Sequence, residues 1–393
     1  MAVNPFRIHG VVEPPDFTDR EPEVARISAA LTEPGGKLLV YGERRMGKTS
    51  ALRVALAGVA ERAAGCLADF STASSPVDLA NRVLDGATKA LGRRWRDVAQ
   101  ELARRIGLSL TIGSDPTTQA PTLSLDLGLR DAPVGAQHDT LGRVLDSLEG
   151  IAADRRVTLG LVLDEFQEIH RVGGEEAEWH LRGVIQHHKH LSYIVAGSRT
   201  HLIRRMLSRG RAFYKLFDLL PFGPIDAAHL ASWIDERMTT HGVSARGAGA
   251  AAAALAGPRT RDVVQLARKT FDLGCAAGVA DGEAVQQAFL EIVQEEDEPI
   301  RALWEGLTPH QQNLLRAVSV GGGRLTAAIT LRRFALKSSS ATSQAAARFV
   351  EEGLLEQLGR GQYRIDSPFF QGWIVLKALP DLGIHLPVTH RPS

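Results

Sequence analysis

Short apolar runs at Lys37-Leu38-Leu39-Val40-Tyr41, Cys66-Leu67-Ala68-Asp69-Phe70, Val157-Thr158-Leu159-Gly160-Leu161-Val162-Leu163 and Leu191-Ser192-Tyr193-Ile194-Val195-Ala196-Gly197 punctuate the first half of the chain. Between them, apolar residues recur at helical spacing: near Glu21 to Leu31, after Gly47, from Ser75-Pro76 toward Leu91, from Thr140 to Ala153 and around Glu175 to His188. Continuously apolar strands alternating with amphipathic helices predict an α/β fold, a parallel sheet with helices on both faces. Between Leu108 and Leu129 the period changes to two, with Leu108, Leu110 and Ile112 on one side of Gly113-Ser114-Asp115-Pro116 and Leu123, Leu125, Leu127 and Leu129 on the other. That alternation predicts a hairpin inserted into the α/β pattern, either a filler or a contact surface for a neighbour or DNA.

From Asp226 to about Glu296 the pattern is all helical, and the acidic run Glu295-Glu296-Asp297-Glu298 before Pro299 reads as a linker. Residues 307–375 then predict a winged helix. Thr308-Pro309 opens a first helix as N-cap and first residue, a second runs from Leu325 to Phe334, a third from Ser340 to Leu354, and Leu355 to Ile365 is a strand-turn-strand wing. The expected domains are 1–225 for the α/β core, 226–298 for a helical lid and 299–393 for the winged helix.

The chemistry concentrates where these elements begin and end. Gly42-Glu43-Arg44-Arg45-Met46-Gly47-Lys48-Thr49-Ser50 lies between the first apolar run and a helix start. In that context the pattern is a phosphate cradle, its backbone N–H groups facing the phosphates, Lys48 bridging them and Thr49 ligating Mg²⁺. Asp164-Glu165 ends the third run, at the edge of a parallel sheet where ligands lie. Asp164 is expected to hold the magnesium and Glu165 to polarise the attacking water. Ser198, just past the fourth run, is expected between the acidic strand and the phosphate loop as a γ-phosphate sensor; the competing reading is a helix N-cap. Arg259 either touches the γ-phosphate from the lid or is simply exposed. Among Arg204, Arg205, Arg209 and Arg211, an arginine finger for a neighbouring subunit competes with a solvated basic helix face. His187, His188 and His190 read as a surface helix end, because no acid or cysteine lies at ligand spacing.

The 393 residues carry a formal net charge of +1, so nucleic-acid contact requires a local patch. Residues 301–393 supply one, with nine arginines and two lysines against six acids; Arg332, Arg333, Lys337, Arg348, Arg360 and Arg364 are the candidate phosphate contacts. The third helix is mostly Ser, Ala, Thr and Gln, which leaves protein docking open beside DNA. Two distant cysteines, Cys66 and Cys275, give no disulfide framework or zinc spacing. Neither a signal-peptide core nor a membrane-length apolar stretch is present, which points to the cytoplasm and no membrane partner.

Phe17-Thr18-Asp19-Arg20-Glu21-Pro22-Glu23, the phosphate loop with Arg44-Arg45, Leu163-Asp164-Glu165-Phe166, Ala196-Gly197-Ser198-Arg199 and Gly257-Pro258-Arg259 follow one another in an order that resembles the AAA+ ATPases of the archaeal-ATPase type. That group is related to STAND signalling ATPases and to origin-recognition ATPases, and the resemblance covers most of residues 4 to 375. It implies ATP with Mg²⁺ as ligands, adenine recognition around Phe17 and Arg20, a lid carrying the Gly-Pro pair, and a homo-oligomeric or partner-bound active state. Asp19 stands where the group usually has glycine. The combined expectation is an ATP-hydrolysing switch or assembly acting on double-stranded DNA through residues 307–375. Two alternatives stand beside it: a STAND-like ATPase whose winged helix docks protein, and a DNA-binding regulator with ATP as structural ligand.

Overall fold

A computed structural model describes residues 3–8, 10, 12, 14, 16–61, 63–91, 101–102, 104–105, 110–114, 121–125, 134–321 and 324–379. The chain divides into two compact units, one of residues 9–225 and one joining residues 1–8 to 226–393.

In the first unit the order is α1 (Glu21–Thr32), β1 (Lys37–Tyr41), α2 (Lys48–Val59), β2 (Ala64–Asp69), α3 (Pro76–Leu91), β3 (Leu110–Ser114), β4 (Pro121–Leu125), α4 (Val134–Arg155), β5 (Leu159–Asp164), α5 (Glu168–Ile185), β6 (Leu191–Gly197), α6 (Thr200–Met206) and β7 (Asp218–Pro221). Five strands form one parallel sheet in the order β2-β5-β6-β1-β7. Every residue of β5 and β6 is buried, as the unbroken apolar runs require. Alternate side chains divide between two cores. Leu38, Val40, Val162, Ile194 and Ala196 meet α1 and α2, while Leu39, Leu161, Leu163, Tyr193 and Val195 meet α3, α4 and α5. This is the expected α/β sandwich. The edge strand β7 gives no signal in the periodicity because only Leu220 of its four residues is buried.

The expected hairpin is present as β3 and β4, antiparallel from Leu110 opposite Leu125 to Ser114 opposite Pro121. Asp115 and Pro116 of the predicted turn, and positions 108, 109 and 126–129, lie outside the described residues. Helix α5 starts earlier than its periodicity suggests, because Gly174 at φ 64°, ψ −159° kinks it and hides its first turns. His188 departs from the expected surface position. It is buried, with Nδ1 at 2.6 Å from the Tyr193 hydroxyl and Nε2 at 2.8 Å from Asp146 Oδ1, an acid supplied by α4 across the fold. His190 Nδ1 sits 2.9 Å from Glu149 Oε1 of the same helix. These histidines clamp the turn before β6 to α4.

The second unit contains α7 (Ala227–Thr240), β8 (Ser244–Arg246), α8 (Ala248–Ala256), α9 (Thr260–Ala277), β9 (Val279–Asp281), α10 (Gly282–Glu295), α11 (Asp297–Glu305), α12 (Pro309–Ser319), α13 (Ala328–Arg333), α14 (Ser339–Glu352), β10 (Leu355–Gly359), β11 (Gln362–Ile365) and α15 (Pro368–Trp373). It differs from the sequence reading in three respects. The stretch from 226 to 296 is not purely helical, since β8 and β9 pair in parallel. The acidic run is no loose linker: Asp297 opens α11 and accepts the Trp373 indole N–H at 2.7 Å, and Trp304 packs on Trp373. Residues 3–8 pack here and not in the α/β core. Phe6 is fully buried edge-on to Trp233 and Phe271, and the Arg268 guanidinium donates to the Phe6 carbonyl at 2.7 Å.

Residues 309–365 supply three helices and then the antiparallel ribbon β10–β11, the element order expected of a winged helix. The Thr308 cap and its reciprocal Gln311 contact form a full capping box with Pro309 behind it. The second helix is shorter than expected, spanning Ala328–Arg333.

Candidate nucleotide site

β1 ends at Tyr41, and the chain turns through residues 42–47 into α2, whose first residue is Lys48. Two left-handed residues make the turn: Arg45 at φ 65° and Gly47 at φ 92°. Gly42 is required for a different reason. A Cβ built on it would lie 2.0 Å from the Phe222 carbonyl oxygen, which passes against the loop where the chain leaves β7. The Gly42 N–H also donates to the Gly197 carbonyl at 3.3 Å, fixing the loop to the end of β6.

The loop residues divide by placement. Met46 is buried in the core shared with α1 and α2, so only its backbone faces the cradle, and Ser50 accepts the Val12 N–H at 3.1 Å. Arg44 is exposed, and Glu43 and Arg45 are half-buried. Lys48 is buried, and its ammonium donates to the carbonyls of Gly42 at 2.9 Å and Glu43 at 2.5 Å. Burial lowers its pKa from 10.5 to about 8, against the opposing pull of Glu165 and Asp164. The sign has a consequence for binding. Below pH 8 the free protein already carries the ammonium, whereas above it a triphosphate must draw a proton onto Lys48. Calorimetry in buffers of different ionisation enthalpy is expected to show no proton uptake near pH 7, uptake approaching about one proton near pH 9, and affinity falling across that interval. Affinity constant from about pH 7 to about pH 9 would contradict the placement of Lys48 at the phosphates.

Asp164 ends β5, and its Oδ2 accepts the Thr49 hydroxyl at 2.7 Å. Its Oδ1 accepts the Glu165 N–H at 2.9 Å. Burial raises the Asp164 pKa, partly countered by the Thr49 hydrogen bond. A hydroxyl and a carboxylate meeting at the mouth of a phosphate loop suit Mg²⁺, which keeps most of its shell as water and phosphate oxygen and takes one or two ligands from protein. No cluster of three or more His, Cys, Asp or Glu able to hold a metal occurs among the described residues.

Glu165 is held in the left-handed region at φ 54°. Its Oε2 accepts from the Ser198 hydroxyl at 2.7 Å and from the Gln167 amide. Because β6 lies between β1 and β5, the residue leaving β6 falls between the phosphate loop and the acidic pair. Ser198 occupies that place, and the N-cap of α6 is Arg199, so Ser198 does not perform the capping role. The structure therefore brings Lys48, Thr49, Asp164, Glu165 and Ser198 to one end of one sheet. Gln167 escaped the sequence reading. The only signal was its proximity to the acidic pair.

Other expected residues are engaged elsewhere. The Arg20 guanidinium is buried, stacks 4.2 Å above Phe222, and donates to the carbonyls of Met46 at 3.3 Å and Gly223 at 2.7 Å, with Glu23 at 2.8 Å. These contacts make it a strut beneath the phosphate loop. Phe17 packs half-buried against the core of α1 and α2. Asp19 has φ 52°, a conformation glycine adopts freely and aspartate tolerates, which accounts for the glycine usual at that point. Arg211 pairs with Glu175 and the fully buried Glu178, so it holds α5 and is not available as a finger. Arg204, Arg205 and Arg209 are exposed, Arg205 standing 3.6 Å from Glu175. Arg259 is buried in its own unit against Glu356 at 3.2 Å and Asp366 at 2.9 Å, which corrects the exposed reading.

The sequence matches no protein-family model and no curated protein. Among solved structures, a Walker-type ATPase of Pyrococcus abyssi is similar at TM-score 0.63 and 16% identity, over 94% of this chain and 99% of that one. The Aeropyrum pernix ORC1 protein in complex with DNA is similar at TM-score 0.50 and 17% identity, over 94% and 97% of the two chains. The ADP form of the Aeropyrum pernix ORC2 protein is similar at TM-score 0.50 and 14% identity, over 96% and 95%. The parallel sheet, its phosphate loop and these full-length likenesses give the chain the fold of the AAA+ P-loop ATPases that its motifs resemble.

Proposed function

We propose that this chain binds ATP with Mg²⁺, hydrolyses it, and uses the cycle as a switch or oligomeric assembly on double-stranded DNA. The observation that carries the nucleotide part is the 2.7 Å contact between Thr49 and Asp164, which joins the phosphate loop to the acidic strand end at a single point. Lys48 supplies positive charge to the phosphates, and the bound magnesium would neutralise charge developing in transfer. Glu165 takes the proton of the attacking water. No helix among the described residues is long and apolar enough to cross a membrane.

Support for DNA comes from the second unit. A three-helix and ribbon arrangement docks a helix into the major groove with its ribbon beside it, and the Aeropyrum pernix ORC1 structure is of a DNA complex. The basic residues do not contribute equally. Arg364 is paired with Glu356, and Arg348 with Glu352 at 2.6 Å, whereas Arg332, Arg333, Lys337 and Arg360 are exposed. The expected phosphate contacts therefore shift toward Arg332, Arg333, Lys337 and Arg360.

Duplex affinity is expected to fall steeply between about 50 and about 200 mM salt, and Ala replacement of Arg332, Arg333 and Arg360 together to reduce the log–log salt slope by about 3. Fluorescence anisotropy with labelled duplex measures both. Undetectable or salt-independent binding would favour protein docking, for which the exposed Ile329 and Leu358 provide apolar anchors.

A further inference from the structure

The acidic strand end carries one polar group that the hydrolytic reading does not use. Gln167, two residues beyond Glu165, is 1% exposed, and its Nε2 donates to Glu165 Oε2. Its own Oε1 is buried with no hydrogen-bond partner. Turning the amide over would set that oxygen against the Glu165 carboxylate, so the observed orientation is the one compatible with a charged Glu165. The seat is specific. A Cβ on Gly197 would come within 2.8 Å of Gln167 Oε1 and 2.5 Å of Ile203 Cδ1, so the last residue of β6 must lack a side chain for Gln167 to lie there. A buried acceptor left without a donor is disfavoured in a fold and calls for a reason.

We propose that Gln167 is a positioning residue for hydrolysis: it holds Glu165 Oε2 so that Ser198 is released to engage the γ-phosphate while Glu165 keeps its aim on the attacking water. The inference rests on the reading of Glu165 as the base. Ser198 has one hydroxyl proton, directed at Glu165 Oε2 over 2.7 Å. It cannot give that proton to a phosphate oxygen and to Glu165 together. Gln167 donates to the same oxygen from an element, the start of α5, that does not have to move. With Oε2 held, Glu165 Oε1 is the oxygen left to take the water's proton, since no residue donates to it among the described residues. The left-handed turn at Glu165 sets its backbone but not its side chain, so the carboxylate still needs a donor to hold it.

The test compares wild type with Gln167→Met, Gln167→Glu and the control Glu165→Gln, following ATP turnover and nucleotide affinity in parallel. Gln167→Met keeps the volume and removes the donor. Its kcat is expected to fall about 10- to 100-fold with KM and nucleotide affinity unchanged. Gln167→Glu keeps the shape and replaces the donor with a second acceptor, so kcat is expected to fall at least as far, again with KM unchanged. If either variant binds nucleotide like wild type and also turns over at the wild-type rate, the inference is overturned. A fall in kcat matched by an equal loss of nucleotide affinity in both variants overturns it too, since general loosening of the fold does that. Glu165→Gln separates the layers: full turnover in that variant removes the base assignment itself, whereas its inactivity beside fully active Gln167 variants removes only the role of Gln167.

Discussion

Replacing Glu165 with glutamine is expected to lower the ATP turnover number by about 10²- to 10⁴-fold, the usual contribution of a positioned general base, while nucleotide affinity changes by no more than a few-fold. The separation follows from geometry. Glu165 makes no hydrogen bond to Lys48 or Thr49, the residues proposed to meet the phosphates and the metal, but stands beyond Asp164 with Ser198 and Gln167 on its Oε2. Glutamine preserves the shape, and its carbonyl oxygen can still accept from Ser198, so the left-handed turn and the ends of β5 and β6 are retained. What disappears is the capacity to take a proton. Single-turnover measurements distinguish this from slow product release, because the chemical step itself is predicted to slow. An unchanged single-turnover rate would mean that Glu165 is a structural acid at a strand end.

The parts of this site legible in sequence are those built by short-range order. The phosphate loop is readable because strand, glycines and helix start are contiguous from Lys37 to Val59, and the acidic pair because it ends a run apolar enough to be buried throughout. Ser198 is legible as the polar residue closing a buried strand, while its place between the two comes from the strand order β2-β5-β6-β1-β7. Contacts made across the fold were not legible. Nothing local to Gly42 announces the Phe222 carbonyl 2.0 Å from its Cβ position, and nothing local to Gly197 announces Gln167. The resemblance implies adenine recognition around Arg20, and Arg259 reads as either a γ-phosphate contact or an exposed residue, because their carbonyl and carboxylate partners at Gly223, Glu356 and Asp366 are distant in sequence. For the same reason His188 read as exposed, its partner Asp146 lying on the helix before β5. Residues 3–8 were assigned by proximity in the chain, whereas burial of Phe6 beside Trp233 and Phe271 decided their place.

Replacement of Lys48 by alanine has the largest expected effect on binding. Removing one member of a buried, hydrogen-bonded charge pair costs about 2–5 kcal/mol, which corresponds to a loss in ATP affinity of about 30- to several-thousand-fold. The Lys48 pKa is held at about 8, below the ordinary 10.5, so the folded protein carries that charge at a cost below pH 8 and the cost is relieved only as pH rises toward 10.5. Removing the ammonium relieves that cost but takes from the carbonyls of Gly42 and Glu43 their donor, so melting of the nucleotide-free variant is measured beside binding to separate lost affinity from lost folding.

The decisive measurement is a calorimetric titration of ATP with Mg²⁺ into wild type and into Lys48→Ala at pH 7, with melting temperatures taken on the same samples. Saturable one-site binding to wild type, lost in a variant that still melts cooperatively, is the result expected of a triphosphate gripped between Lys48 and the Thr49–Asp164 contact. Equal affinity in the two proteins, or no binding to wild type, would contradict it.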